Sequence, residues 1–246
     1  MGIIIDIEGL DGCGKETQSN ILSERLTALG IKNKVVHFPN YSSATGQYIT
    51  AYLKGRYTVP EGAIFPLYSL DRYFSYIQDW KNLYDDGYVI ICDRYIFSNL
   101  IYQLAMLKVT PNGEKYNKFK DMILNYECNV LGLPFPNITF FLTCYREVCK
   151  KNLLNRYNGD ESKMDKYETN LYLQGMCNNI AKGLYKDSES FKLVTCSDNS
   201  VMIDKDIICD NLEYYVLKTL KEENRSNGII QNRINELFNM KFRLVM

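Results

Sequence analysis

The sequence predicts an α/β fold: three layers, with a five-stranded parallel sheet and helices on both of its faces. Three observations predict it. Short apolar, β-branched runs recur at 3–7, 34–38, 88–92, 138–143 and 191–195. Segments with helical spacing separate them, and that alternation calls for crossover connections between strands running in one direction. The runs are apolar almost throughout rather than alternating, as suits strands covered on both faces. The 246 residues fit one large α/β domain, and hydrophobic residues at 46% supply a sizeable core.

The first run, Ile3-Ile4-Ile5-Asp6-Ile7, leads into Glu8-Gly-Leu-Asp-Gly-Cys-Gly-Lys-Glu-Thr-Gln18. A strand, a glycine-rich turn, a lysine and a helix together form a phosphate cradle. The glycines let backbone N–H groups turn toward an anion, and the helix N-terminus adds its positive dipole end. Lys15 would reach the outer phosphates of a nucleotide. The signature G-x-x-x-x-G-K-[ST] fits Gly9, Gly14 and Lys15 and fails at Glu16, where the hydroxyl that helps hold Mg²⁺ is missing; Thr17 follows at once. The ordinary alternative is a strand-turn-helix whose glycines serve only tight geometry. The three glycines, the lysine and the strand before them favour phosphate. The expected phosphate loop is Gly9, Leu10, Asp11, Gly12, Cys13, Gly14, Lys15, Glu16 and Thr17.

The first helix should cover 16–29, with Ile21, Leu22, Leu26 and Leu29 on one face and Gly30 as its stop. Further helices are expected at 43–53, 64–84, 96–107, 115–128, 147–154 and 167–185, and a last core helix after Asp204. Residues 157–166 are polar and aperiodic, the composition of a mobile loop. Residues 222–228 read as a short linker, followed by an amphipathic segment at 229–245. Residues 1–221 are therefore expected to form a single domain, and 222–246 a helical extension that packs on the core, covers a dimer edge or stays mobile, with packing the favoured reading.

A formal net charge of zero argues against a general nucleic-acid or anionic-membrane surface. No signal peptide is visible, and no apolar run approaches the roughly 20 residues of a membrane span. The eight cysteines lack paired C-x-x-C spacing, so structural zinc is not expected; they read as buried thiols in a reducing cytoplasm. Cys13, in the loop, is the one expected to be accessible.

In an open parallel sheet, ligands bind beyond the carboxyl ends of the strands. There the sequence places the phosphate loop, Phe38-Pro39-Asn40-Tyr41, Asp93-Arg94-Tyr95 with Ser98-Asn99 and Tyr102-Gln103 on the next helix, then Arg146 and Arg156. Asp93-Arg94 reads as a carboxylate near Mg²⁺ or its waters and a guanidinium on phosphate oxygens, against the plainer reading of a local ion pair capping a helix. Tyr68 and Arg72 are four apart in a helical stretch and share a face. They suit stacking on a base and binding its edge, although core packing plus a surface charge is the commoner meaning of one such pair.

Together these residues resemble the thymidylate (dTMP) kinases, nucleoside-monophosphate kinases of the P-loop group, over roughly residues 1–215. Four segments carry the resemblance: Glu8 to Gln18, Phe38-Pro-Asn-Tyr41, Leu70-Asp-Arg72, and Asp93-Arg-Tyr-Ile-Phe-Ser-Asn-Leu-Ile-Tyr-Gln103. A weaker fifth is Asp165-Lys-Tyr-Glu168. The resemblance implies a P-loop NTPase-type three-layer sandwich with a lid at about 156–166, phosphoryl transfer from ATP to dTMP, Mg²⁺ with the ATP, and a homodimer. It implies that Asp11 and Lys15 sit at the transferred and acceptor phosphates. Phe38 and Tyr41 would line the acceptor site, Tyr68 stack on thymine, Arg72 bond the base, and Arg94 bind the acceptor phosphate. Ser98, Asn99, Tyr102 and Gln103 would surround the base and deoxyribose, and Arg156 would touch the donor at the lid entrance. Catalytic roles fall to Asp11, Lys15, Arg94 and Arg156.

Two positions depart from the family pattern. Glu16 stands where Ser or Thr is common; it is expected to start the helix and point away, leaving Mg²⁺ to water, the nucleotide, and Thr17 or Asp93. Gly12 and Cys13 are uncharged where some members carry a loop arginine, so catalytic charge should come from a lid holding only Arg156, Lys163 and Lys166. The rival readings are a kinase of another nucleoside monophosphate or of a deoxynucleoside, and a nucleotide-binding protein without activity.

Overall fold

The computed structural model describes residues 1–60 and 62–243; the last three residues of the expected C-terminal extension, 244–246, lie outside them. The first strand, β1 (Ile3–Gly9), is buried along its whole length because it is the centre of the sheet. With β2 (Asn33–His37), β3 (Val89–Asp93), β4 (Ile138–Thr143) and β5 (Phe191–Thr195) it forms a five-stranded sheet in the order β2-β3-β1-β4-β5, every pair parallel. Ile5 pairs with Ile91 on one side and Ile138 on the other, so apolar side chains stack across adjacent strands. The order reverses at β1, and the carboxyl ends of β1 and β3 open a crevice there.

Helices cover both faces. In one layer, α1 (Lys15–Ala28) packs on α9 (Lys205–Glu222), and α10 (Gly228–Arg243) lies on α9. In the other, α5 (Ile96–Met106) packs against α3 (Phe65–Ser75), α6 (Glu114–Leu124) and α8 (Leu171–Asp187). Among the described residues the remaining α-helices are α2 (Ala44–Leu53), the short α4 (Lys81–Asp85) and α7 (Arg146–Arg156), and the polar 157–166 segment holds one 3-10 turn, Glu161–Lys163. On α10, Ile230, Ile234 and Leu237 are buried in the main core, the i, i+4, i+7 stripe of an amphipathic helix. Arg233 pins it to Glu213 of α9 at 2.7 Å.

Several elements differ from the sequence expectation. The segment expected as one helix at 64–84 is α3, a wide π-helical turn at Tyr76–Trp80, then α4. The extra residue in that turn brings Tyr76 and Trp80 inward together, their rings 4.6 Å apart. The helix expected at 115–128 likewise ends in a π-helical turn, Asn125–Val130, which carries Glu127 into the interior. The helix expected from 167 begins at Leu171, where the Asn170 side chain caps it by accepting the Leu173 N–H at 3.0 Å. A two-residue hairpin, β6 (Ser197–Asp198) with β7 (Val201–Met202), was not anticipated. Among the described residues, no helix is long and apolar enough to cross a membrane.

Candidate functional site

The loop after β1 is built from backbone. Gly14 sits at φ +96 and turns the chain into α1, and Gly12 sits at φ +78, both in the left-handed region. Gly12 has a second constraint: a Cβ there would lie 2.4 Å from the Cys149 carbonyl oxygen of α7. Asn152, one turn further along α7, donates to the Gly12 carbonyl at 2.8 Å, so α7 braces the loop from behind. Lys15 is folded across the loop, its ammonium 2.8 Å from the Leu10 carbonyl and 3.9 Å from Asp11. Leu10 and Cys13 are buried, and burial pushes the Cys13 thiol up despite Lys15 and Arg94 nearby. The expectation of an accessible Cys13 is therefore wrong; the loop folds its thiol into the core, and the Cys13 N–H donates back to the Leu10 carbonyl at 3.3 Å.

The end of β3 supplies Arg94, a non-glycine residue at φ +70. Such a conformation persists only where the surroundings over-determine it. The Arg94 N–H donates to Ile7 of β1 at 3.0 Å. Fully buried Glu8 accepts from the Tyr95 N–H at 2.9 Å and the Ser98 hydroxyl at 2.6 Å. The guanidinium then reaches Asp11 at 2.5 Å and the Gly9 carbonyl at 3.2 Å, and lies over the Tyr102 ring. Burial alone would raise the Asp11 carboxyl; the Arg94 and Lys15 cations outweigh it and hold Asp11 below the usual carboxylate range.

Beside this arginine lies a cavity open to solvent on one side. Its wall includes Phe38, Tyr41, Tyr68, Arg72, Arg94, Ser98, Asn99, Tyr102 and Gln103, all nine acceptor-side residues expected from the sequence. It also includes Leu53, Asp71, Asp165 and Tyr167, which the sequence reading did not place there. Tyr167 stacks on Tyr102 with rings 5.5 Å apart. Asp71 accepts from the Asn40 N–H at 2.7 Å and the Ser43 and Thr45 hydroxyls at 2.9 and 2.6 Å, fastening the loop that carries Phe38 and Tyr41. Both residues stood inside motifs already noticed. Glu127 did not: it grips Arg72 in a bidentate pair at 2.7 and 2.6 Å and also accepts from Ser69 and Asn99. Nothing in its local sequence sets it apart from a surface glutamate of a helix.

A second cleft adjoins the first, lined by Asp11, Gly12, Gly14, Lys15, Glu16, His37, Asp93, Arg94 and Arg156 among others. Glu16 sits in the first turn of α1, which begins at Lys15, and is among the residues that line this cleft. Thr17 is exposed on the same turn and is not in the wall. Asp93 lies 3.3 Å from the His37 ring nitrogen. Among the described residues, no group of three or more His, Cys, Asp or Glu could hold a metal ion alone. A few carboxylates beside a phosphate cradle nevertheless fit Mg²⁺, which is commonly held by one or two carboxylates, waters and the substrate's own phosphates.

The thymidylate kinase family model matches residues 7–207. The chain belongs to the thymidylate kinase family. It is 31% identical to the thymidylate kinase of Plasmodium falciparum over 168 residues, which is 68% of this chain and 72% of that one. It is 30% identical to the thymidylate kinase of Homo sapiens over 57% of this chain and 60% of the human one. A solved thymidylate kinase from Candida albicans, described in terms of its broad substrate specificity, superposes with a TM-score of 0.62 at 26% identity, covering 89% of this chain and 92% of that one. The chain is an ATP-dependent nucleoside-monophosphate kinase that phosphorylates dTMP, with the five-stranded P-loop fold of the family.

Proposed function

We propose that the cavity takes dTMP, that the adjoining cleft takes the ATP phosphates with Mg²⁺, and that Arg94 joins the two. The observation that carries this reading is the position of Arg94. It is in both walls, tied to the phosphate loop through Asp11 and the Gly9 carbonyl and laid over Tyr102 on the acceptor side.

Phosphoryl transfer is mostly positioning and charge neutralisation. The acceptor phosphate is already an anion, so no strong base is required, and Asp11, held ionised, orients Arg94 and Lys15. Lys15 faces the transferred phosphate, and Arg156 adds positive charge from the end of α7. Tyr68 offers a ring to the base, while Phe38 and Tyr41 wall the sugar and phosphate. Mg²⁺, when bound, neutralises charge on the donor phosphates; Glu16 and Asp93 are the carboxylates placed to hold its waters, with Thr17 next to them on α1. Residues 156–166 act as a lid that excludes water and so guards against ATP hydrolysis.

Residues 1–221 form the catalytic domain, with 222–246 an extension. The protein works in the cytoplasm, away from membrane and nucleic acid. Exposed Phe74, Ile77, Met122 and Val130, on α3, α6 and the π turns after them, support pairing of two copies through that side.

An ADP-release assay across dTMP, dUMP, dCMP, dGMP and thymidine tests the reading. A clear preference for dTMP is expected. Equal rates for several monophosphates would sink a strict dTMP site and align this chain with the broad specificity described for the Candida enzyme. Tight ATP binding with no dTDP formed would leave the site a nucleotide binder.

A further inference from the structure

The base end of the cavity has a hydrogen-bonding polarity, and one residue outside the wall sets it. Arg72 can only donate. Its Nε and one N–H of Nη2 are taken by Glu127 at 2.7 and 2.6 Å, which leaves Nη1, beside the second Nη2 N–H, as the donor available to the cavity that Arg72 lines. An asparagine amide is ambiguous in principle, because its oxygen and nitrogen exchange places by a half turn. The Asn99 amide is not free to do so. One end of it meets the Phe65 carbonyl at 3.1 Å, the Ser69 hydroxyl oxygen at 3.0 Å and Glu127 Oε1 at 2.7 Å. A carbonyl and a carboxylate only accept, and the Ser69 proton is committed to Phe65 or Glu127. The NH₂ must therefore face this group, and Oδ1 is what Asn99 offers the cavity. Gln103, the other amide in the wall, has its Oε1 buried without a partner. No protein bond fixes which end of its amide meets a ligand, so it does not set the polarity.

We propose that Glu127 is a specificity-determining positioning residue: by occupying two donors of Arg72 and the amide of Asn99, it fixes the base edge of the cavity as a donor beside an acceptor, and so selects 4-oxo over 4-amino pyrimidine monophosphates. The inference rests on the cavity being the dTMP site. A 4-oxo pyrimidine presents a carbonyl acceptor at C4 and an N–H donor at N3, the complement of Arg72 Nη1 and Asn99 Oδ1. A 4-amino pyrimidine reverses both: its amino group meets the guanidinium, donor against donor, and its N3 lone pair meets Oδ1. The wrong base leaves buried groups of the protein unpaired, the strongest form of discrimination a pocket can build. Glu127 is fully buried, is absent from the cavity wall and acts only through Arg72 and Asn99.

The deciding pair is dUMP and dCMP, which match in size, lack the methyl group and differ only at this edge. In the wild type, kcat/KM should favour dUMP by about 100-fold or more. In Glu127→Gln the new side chain both donates and accepts, so Asn99 can turn over; the ratio should fall by about 10-fold or more with KM for ATP unchanged. Glu127→Asp keeps two acceptor oxygens and should restore most of the ratio. A Glu127 that merely supports the fold would depress both substrates together, and an unchanged ratio in folded Glu127→Gln overturns the proposal. Should that variant fail to fold, the wild type still decides. The Asn99 side-chain NH₂, bonded on three sides, should exchange slowly with solvent by NMR, and fast exchange overturns the proposal. A wild type inactive on dTMP, dUMP and dCMP alike overturns the cavity assignment with it, whereas a discriminating wild type with an indifferent Glu127→Gln overturns the role of Glu127 alone.

Discussion

The proposed phosphate cleft and the proposed acceptor cavity lie side by side and are built by opposite means. The cleft is largely backbone: glycines at positive φ in the loop after β1, with charges such as Glu16 and Arg156 left open to solvent. The cavity is side chain: Arg72, Glu127, Asn99 and Ser69 are each at most 2% exposed and bonded to one another before any ligand arrives. The difference follows from what each must recognise. Phosphates are common to all nucleotides, and a cradle of N–H groups with mobile cations suffices. A base edge must be distinguished from near-identical ones, which needs donors and acceptors fixed in advance.

The largest effect should come from breaking the buried side. Glu127→Leu leaves the Arg72 guanidinium charged and unpaired in the interior, and removing one partner of such a pair costs about 3–5 kcal/mol. Denaturant unfolding should show a loss of that size; a loss under about 1 kcal/mol would mean that the cavity is not pre-paired.

Arg94→Ala comes next, because Arg94 is where the two regions meet. Its removal should cost about 3–4 kcal/mol of transition-state stabilisation, by analogy with other charge-stabilising donors. The loss should fall mainly on kcat, read by coupled ADP release at saturating dTMP. A rise in the KM for dTMP with kcat intact would confine Arg94 to ground-state binding.

Gly12→Ala tests the backbone side. The added Cβ meets the Cys149 carbonyl at a φ that L residues rarely adopt. Strain of about 1–3 kcal/mol should appear as weaker ATP binding, with dTMP binding unchanged. Calorimetric titration of each nucleotide separates the two, and equal weakening of both would mean that the regions are mechanically one.

The same contrast explains what could be read from the chain. The cradle was legible because its chemistry is local: strand, glycines, lysine and helix occupy consecutive residues 3–18. The acceptor wall was legible where its residues cluster after strands, as Phe38, Arg94 and Asn99 do. Glu127 was not, because its meaning arises only when a π-helical turn rotates it inward onto an arginine 55 residues away in sequence. A helical period of 3.6 cannot register such a turn. The β6–β7 hairpin escaped because two-residue strands leave no periodicity to detect. The bracing of Gly12 by α7 escaped because it is a contact between two backbones.

The smallest effect compares two partly buried thiols, one on each side. Cys144 follows β4 beneath the phosphate loop, 3.7 Å from the Met202 sulfur. A hydrogen bond from Cys149 outweighs burial and, with Ser197, brings the Cys144 thiol down to about 7. Cys128 lies in the π turn next to Glu127; burial first, then that carboxylate, push it up to about 11. At pH 8 Cys144 carries much the larger thiolate fraction, but a less acidic thiolate is also more nucleophilic, which offsets most of the gap. Iodoacetamide should therefore label Cys144 about ten times faster than Cys128, read by peptide mass spectrometry. Its rate should climb with pH through about 7 and then level off. Cys149→Ala removes the hydrogen bond and should move that midpoint up toward an ordinary thiol. If Cys128 is labelled first, the acceptor side is less sealed than its bonded network implies, and the contrast between the two regions fails at its base.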